Sequence, residues 1–115
     1  MIAVEVVILA EALDELAALP AAERQAVARA IGKLEVGGDQ LGFPHTSAIQ
    51  GAASTLREVR PRAGRSRWRA FYRRVRDQLV IGAIGPEAGV DPGRFRRATA
   101  LAASRIDEYE TSRRP

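Results

Sequence analysis

Apolar and polar positions alternate at the start of the chain. Ile2, Val4, Val6 and Ile8 stand against Ala3, Glu5, Val7 and Leu9, the period of two expected of a strand with at least one buried face. From Glu11 the spacing becomes helical. Leu13, Leu16 and Ala17, with Ala12 beside them, form one stripe, while Glu11, Asp14 and Glu15 face water and suit the positive end of a helix dipole. Pro20 breaks this helix and fits the first turn of a second, whose stripe of Ala26, Val27, Ala30, Ile31 and Leu34 runs until Gly37 and Gly38 stop it. A strand therefore leads into an αα-hairpin.

Asp39 to Thr55, with Gly42, Pro44, Ser47, Gly51 and Ser54, reads as a polar, turn-rich connection. Three extended runs follow. Leu56 to Arg60 is stopped by Pro61. Arg67 to Val75 places Trp68, Ala70 and Tyr72 on one face and Arg67, Arg69, Phe71 and Arg73 on the other, a core-like face and a charged one. After a polar turn at Arg76, Asp77 and Gln78, Leu79 to Ile84 is apolar except at Gly82, as in a strand covered on both faces. PEAGV is a loop, and Asp91 with Pro92 makes an N-cap and first-turn pair for a last helix. Phe95, Ala98, Ala102, Ile106 and Tyr109 share its inner stripe, with Arg94, Arg96, Arg97 and Arg105 mostly elsewhere. The pattern predicts an α+β domain over residues 1–110: an N-terminal strand, an αα-hairpin, a three-stranded antiparallel meander and a C-terminal helix, with a frayed tail at 111–115.

At 115 residues one hydrophobic core suffices, and no disulfide or metal is needed for stability. Cysteine is absent, which excludes thiolate metal sites and suits a reducing cytoplasm. The first residues are apolar but short, contain Glu5 and have no basic leader, so a soluble cytoplasmic protein is expected, with no membrane partner. A net charge of +4 and a pI near 10.6 point to nucleic acid, the ribosome or an acidic protein. Arginine outnumbers lysine seventeen to one, and nine arginines lie between Arg57 and Arg76, so the charge is concentrated on the meander. Arginine grips phosphate with its fork but stays protonated and cannot serve as a base.

One histidine, His45, and no cysteine leave neither a zinc cluster nor a Cys-His pair, and no glycine-rich phosphate loop is present. His45, beside Pro44, reads as a loop residue with nothing to position it as a base. The arginines allow two readings. Arg57, Arg60, Arg67, Arg69, Arg73 and Arg74 could be solvated or face an acidic partner. Alternatively Arg57, Arg60 and Arg69 converge on a phosphodiester and stabilise its transition state, with Arg62 and Arg65 making sequence-independent backbone contacts. Cleavage through the RNA 2′-OH also needs an acid and a base. Glu58, Tyr72, Tyr109 and Glu87 are available, and spacing selects none of them. Trp68, Phe71 and Tyr72 could stack on bases or fill the core.

LAALP before the second helix, the LEVGGDQLGFP connection, LREVR, WRAFYR and the final ATALAASRIDEY together resemble the RelE/HigB-type toxins of the RelE/ParE toxin–antitoxin superfamily, in its phage-derived HigB-like branch. LREVR followed by WRAFYR at this distance is the most specific part. The resemblance implies a curved sheet whose basic surface enters the ribosomal A site and cuts mRNA, without metal or cofactor. It matches Arg57, Arg60 and Arg69 to the family's catalytic strand arginines, with Arg67 and Arg73 as supporting phosphate binders; the residues themselves add Tyr72 and Glu58 as catalytic candidates and Arg62, Arg65 and Arg74 as RNA-binding ones. It also implies a cognate antitoxin, commonly a helix-turn-helix protein, and translational arrest as the outcome. Relatives often carry lysine or arginine just after the last strand. This chain has Gly85-Pro86-Glu87-Ala88 there, with Phe95 in place of a tyrosine in the following helix. Two alternatives to the endoribonuclease stay open: a ParE-like inhibitor of DNA gyrase, and a catalytically impaired relative that keeps only RNA or antitoxin binding.

Overall fold

A computed structural model describes residues 4–51 and 55–113. Ile2 and Ala3 of the expected first strand, Ser54 of the connection, and Arg114 and Pro115 of the tail lie outside them. The element order is β1 (Glu5–Ile8), α1 (Ala10–Ala17), α2 (Ala21–Gly37), β2 (Thr46–Ala48), β3 (Arg57–Val59), β4 (Trp68–Val75), β5 (Gln78–Pro86) and α3 (Pro92–Ser112). The strands form one five-stranded sheet in the order β1-β5-β4-β3-β2. β1 runs parallel to β5, and β2 to β5 pair antiparallel in succession.

The α+β architecture matches the expectation with two differences. β2 lies inside the connection expected to be irregular, because Thr46, Ser47 and Ala48 pair with Val59, Glu58 and Arg57. The helix runs on through Thr111 and Ser112, the first part of the expected tail.

Both faces of the sheet are covered. On one, Leu16, Leu19, Val27, Ile31 and Leu34 of the helical hairpin and its linker pack with Val59, Ala70, Tyr72, Leu79 and Ile81. On the other, Ala98, Ala102 and Ile106 of α3 pack with Leu56, Phe71, Val75, Val80 and Ala83. The odd-numbered face of β4, which alternation marks as charged, is therefore buried under α3. Helix α3 starts where Asp91 accepts a hydrogen bond from the Arg94 amide at 3.0 Å, and Pro92 supplies a first-turn residue with no amide to satisfy. Phe95 then meets Phe71 edge to face, with ring centroids 5.5 Å apart.

Two glycines set how close α3 lies. A Cβ on Gly82 would stand 2.7 Å from the Ala102 carbonyl oxygen, and one on Gly85 would stand 2.6 Å from the Ala98 Cβ. Gly82 also sits at the register shift of the β4–β5 pair: Phe71 faces Ala83 while Tyr72 faces Ile81. The shift leaves Gly82 without an opposite residue, and the helix backbone fills the space above it.

β1 ends early, so β5 beyond Ile81 has no strand on that side. A side-chain pair satisfies the backbone there. Glu15 of α1 accepts the Ile84 amide at 3.0 Å, and Arg105 of α3 donates to the Gly82 carbonyl at 3.0 Å and to Glu15 at 3.1 Å.

Gly82→Ala places a methyl group against helix backbone that cannot swing aside. We expect it to lower stability by about 1–3 kcal/mol, the usual cost of overpacking, read from the midpoint of a urea titration.

Candidate functional site

β3 presents alternate side chains to opposite faces of the sheet, and this divides the arginines. Arg57 pairs with Tyr72 across the β3–β4 ladder and lies on the hairpin face with it. Its guanidinium donates to the Tyr72 hydroxyl at 3.3 Å and to Thr46 Oγ1 at 3.0 Å. Tyr72 is buried in that core. Glu58 and Arg69 occupy the α3 face, and Arg60 leaves the end of β3 to join them. The residues expected to share one catalytic centre are therefore in two groups with the sheet between: Arg57 and Tyr72 behind it, and Glu58, Arg60 and Arg69 in front.

The front group surrounds a buried charge. Arg69 is only 1% exposed. Its Nη1 donates to the carbonyls of Ser66 at 2.6 Å and Trp68 at 2.9 Å, and its Nη2 donates to Glu87 at 2.8 Å. Its Nε stands 3.5 Å from Glu58 Oε2, in ion-pair range yet without a hydrogen-bond partner. The same Glu58 oxygen accepts from Ser47 at 2.9 Å and Arg60 at 3.2 Å. Burial pushes the Arg69 guanidinium below its ordinary pKa, the charges of Glu58 and then Glu87 pull it back up, and Arg60 adds a smaller depression. Glu58 is the hub of this cluster, because one carboxylate holds β2, Arg60 and Arg69 together.

These residues open onto a cavity of about 370 Å³ whose walls are Ala48 of β2 with Ile49 and Gln50 beyond it, Glu58 and Arg60 of β3 and its end, Arg69 of β4, Glu87 to Gly89 after β5, and Phe95 of α3. Of the meander, β3 and β4 contribute to it directly and β5 only through the loop that follows it. Glu87, whose side chain is 35% exposed, is the more open of the two carboxylates that line it.

The other arginines are mostly engaged by the fold. Arg73 is buried and held by Asp107 at 2.8 Å and Glu110 at 3.2 Å, both from the last turns of α3. Arg74 pairs with Asp39 on the hairpin side. Arg62 holds Glu23 of α2 at 2.6 Å. Arg65 and Arg67 are exposed, and among the described residues neither has a carboxylate partner. Tyr109 donates to Gln78 at 2.7 Å, far along α3 from the cavity. Of the acid–base candidates, only Glu58 and Glu87 border it.

A second, smaller cleft of about 130 Å³ lies against α2. It is lined by Ala26, Arg29, Ala30, Lys33, His45, Arg60 and Arg62. Arg60 forms a wall of both cavities. Sequence reasoning passed over Arg29 and Lys33; their signal was the spacing of four on one helix, with the chain's single lysine as one member.

The family model for phage derived protein Gp49-like (DUF891) matches residues 14–83, from within α1 to within β5. No curated protein matches the chain. Among solved structures, a double arginine-to-alanine mutant of the E. coli toxin RelE in the free state is similar, with a TM-score of 0.63 and 14% identity over 91% of this chain and 99% of that one. At that identity the likeness is one of fold.

Removing the buried side chain opens a cavity and takes a donor from the Ser66 and Trp68 carbonyls, so Arg69→Ala should lower stability by about 2–5 kcal/mol. Glu87→Gln, at the open end of the same network, should cost under about 1 kcal/mol. Urea titration of the two variants checks the contrast.

Proposed function

The chain belongs to the phage derived Gp49-like family, and on that premise we propose that it is the toxin of a type II toxin–antitoxin pair, an endoribonuclease that cuts mRNA on the translating ribosome in the cytoplasm. The observation that carries this reading is the gathering of Arg60 and Arg69 around Glu58 at one open cavity of a RelE-like sheet. In such a reaction the 2′-hydroxyl loses its proton and attacks the adjacent phosphorus, and the bond to the 5′-oxygen breaks as that oxygen takes up a proton, leaving a 2′,3′-cyclic phosphate and a 5′-hydroxyl. Negative charge builds on the phosphoryl oxygens. Preorganised guanidinium groups in a partly water-excluded site are the donors such charge requires.

Glu87 is the carboxylate with an open side, and it takes the role of proton acceptor. Glu58, already accepting from Ser47 and Arg60, positions the two arginines. Arg57 and Tyr72 act from behind the sheet by fixing the β3–β4 register through their mutual hydrogen bond. Arg65 and Arg67, both exposed, reach for the RNA backbone. The ribosome supplies the orientation that so small a protein cannot. A cognate antitoxin, a helix-turn-helix protein in this reading, silences the activity by covering the cavity.

A second reading has its own support. Glu58 and Glu87 balance the charge of Arg60 and Arg69, and Pro86-Glu87-Ala88 puts a carboxylate where relatives carry cations. A protein that grips DNA gyrase without cutting RNA would tolerate this neutrality better than a nuclease. Its signature is inhibited supercoiling with intact mRNA.

Primer-extension mapping of mRNA 5′ ends in a translating extract separates the two. We expect new ends inside codons only when ribosomes translate, and a loss of cleavage of about 10²- to 10³-fold in Arg60→Ala, the cost of one transition-state donor. Intact mRNA with a folded protein, and inhibited supercoiling, would establish the second reading.

A further inference from the structure

The small cleft beside α2 has a composition that the fold does not require. Arg29 and Lys33 lie one turn apart on an exposed face, a like-charge spacing that weakens a helix rather than supporting it. Neither makes an ion pair or side-chain hydrogen bond among the described residues. Beside them Ala26 and Ala30, which also line the cleft, carry no side chain long enough to fill it. Opposite stand His45, Arg60 and Arg62. Arg62 and Ala63 both adopt left-handed backbone with φ of 54°, a conformation unfavourable for residues other than glycine, and this turn aims Arg62 back at α2. The charge count is uneven. Glu23 answers Arg62 and Glu58 answers Arg60, so the cations of Arg29 and Lys33 are left over.

Two more observations say what the surplus is for. Arg60 walls both cavities, so a ligand in the cleft is a neighbour of a ligand in the larger site. Beside it Phe43, 75% exposed, carries the Arg60 guanidinium 5.0 Å from its ring centroid. Basic side chains next to an exposed aromatic ring are the pairing that holds single-stranded nucleic acid, the cations on the backbone and the ring against a base.

We propose that Arg29, Lys33 and His45, with Arg60 and Arg62, form a subsite for a backbone phosphate of single-stranded RNA, one step along the strand from the phosphate in the larger cavity. The proposal rests on the endoribonuclease reading for the identity of the strand, and Phe43 stacks on the adjoining base. Arg60 then bridges consecutive phosphates and fixes which bond of the strand lies against Arg69.

The test is equilibrium binding of a single-stranded oligouridylate to the full chain as a function of salt, which needs no cleavage. Arg29→Ala/Lys33→Ala should weaken binding and flatten the plot of log affinity against log salt by about 0.7 for each phosphate no longer held. Phe43→Ala should weaken binding by about fivefold or more with the slope unchanged. The control removes the same charge elsewhere: Arg96→Ala/Arg97→Ala, on the exposed side of α3 and away from both cavities. In NMR spectra, the His45 ring resonances should move on adding oligouridylate to the wild type and move less in the Arg29→Ala/Lys33→Ala protein. Unchanged affinity and slope in that protein, or an equal loss in the α3 control, would overturn the subsite. RNA bound through this cleft by a protein that leaves mRNA intact on ribosomes would uphold the subsite and overturn the nuclease.

Discussion

A guanidinium ion removed from water is the constraint around which the functional face is arranged. Arg69 lies in the middle of the sheet with its charge desolvated, and it is tolerable there only because carboxylates and carbonyls from separate elements converge on it. Glu58 comes from β3, Glu87 from the loop after β5, and Ser66 and Trp68 supply carbonyls from the start of β4. Together they offset its desolvation, Glu58 more than Glu87. In return the buried charge ties the loop after β5 to β3 through β4.

The remaining basic residues divide by what holds them. Arg73 and Arg105 are tied to carboxylates of α3 and α1, and serve the fold. Arg57 cross-links strands on the hairpin side. Arg60 links the larger cavity to the cleft lined by Arg29 and Lys33 of α2, while Arg65, Arg67, Arg94, Arg96 and Arg97 stay exposed elsewhere. Among the described residues six arginines are held by carboxylates, so a net charge of +4 does not by itself say where the basic surface lies.

The element order, the cap at Asp91 and the inner stripe of α3 were legible because each rests on local rules: a period, a proline, a short polar side chain before a helix. β2 was not, since Thr46-Ser47-Ala48 has no apolar alternation and becomes a strand only by pairing with β3. The division of the candidate residues between the two faces failed to emerge for a related reason. Alternation shows that Arg57 and Glu58 point opposite ways, but which of them shares a face with Arg69 depends on the register between β3 and β4, a long-range property. The burial of Arg69 and Arg73 was hidden in the same way. Arginines at alternate positions read as a solvated face until α3 is laid over them. Glu87 stood out in the chain as a departure after the last strand; only its contact with Arg69 gives the departure a physical role.

The ion pair of Glu15 and Arg105 along the unpaired half of β5 has a bearing beyond stability. An open strand edge is a template on which any extended peptide can add itself, and a chain rich in buried β-structure is exposed to that hazard. Here the amide of Ile84 and the carbonyl of Gly82 are already taken by side chains from α1 and α3. A strand from another molecule could pair with this stretch only by displacing both. The short first strand therefore leaves a gap that is sealed against self-association, and a partner protein has to engage this side of the molecule through side chains rather than by extending the sheet.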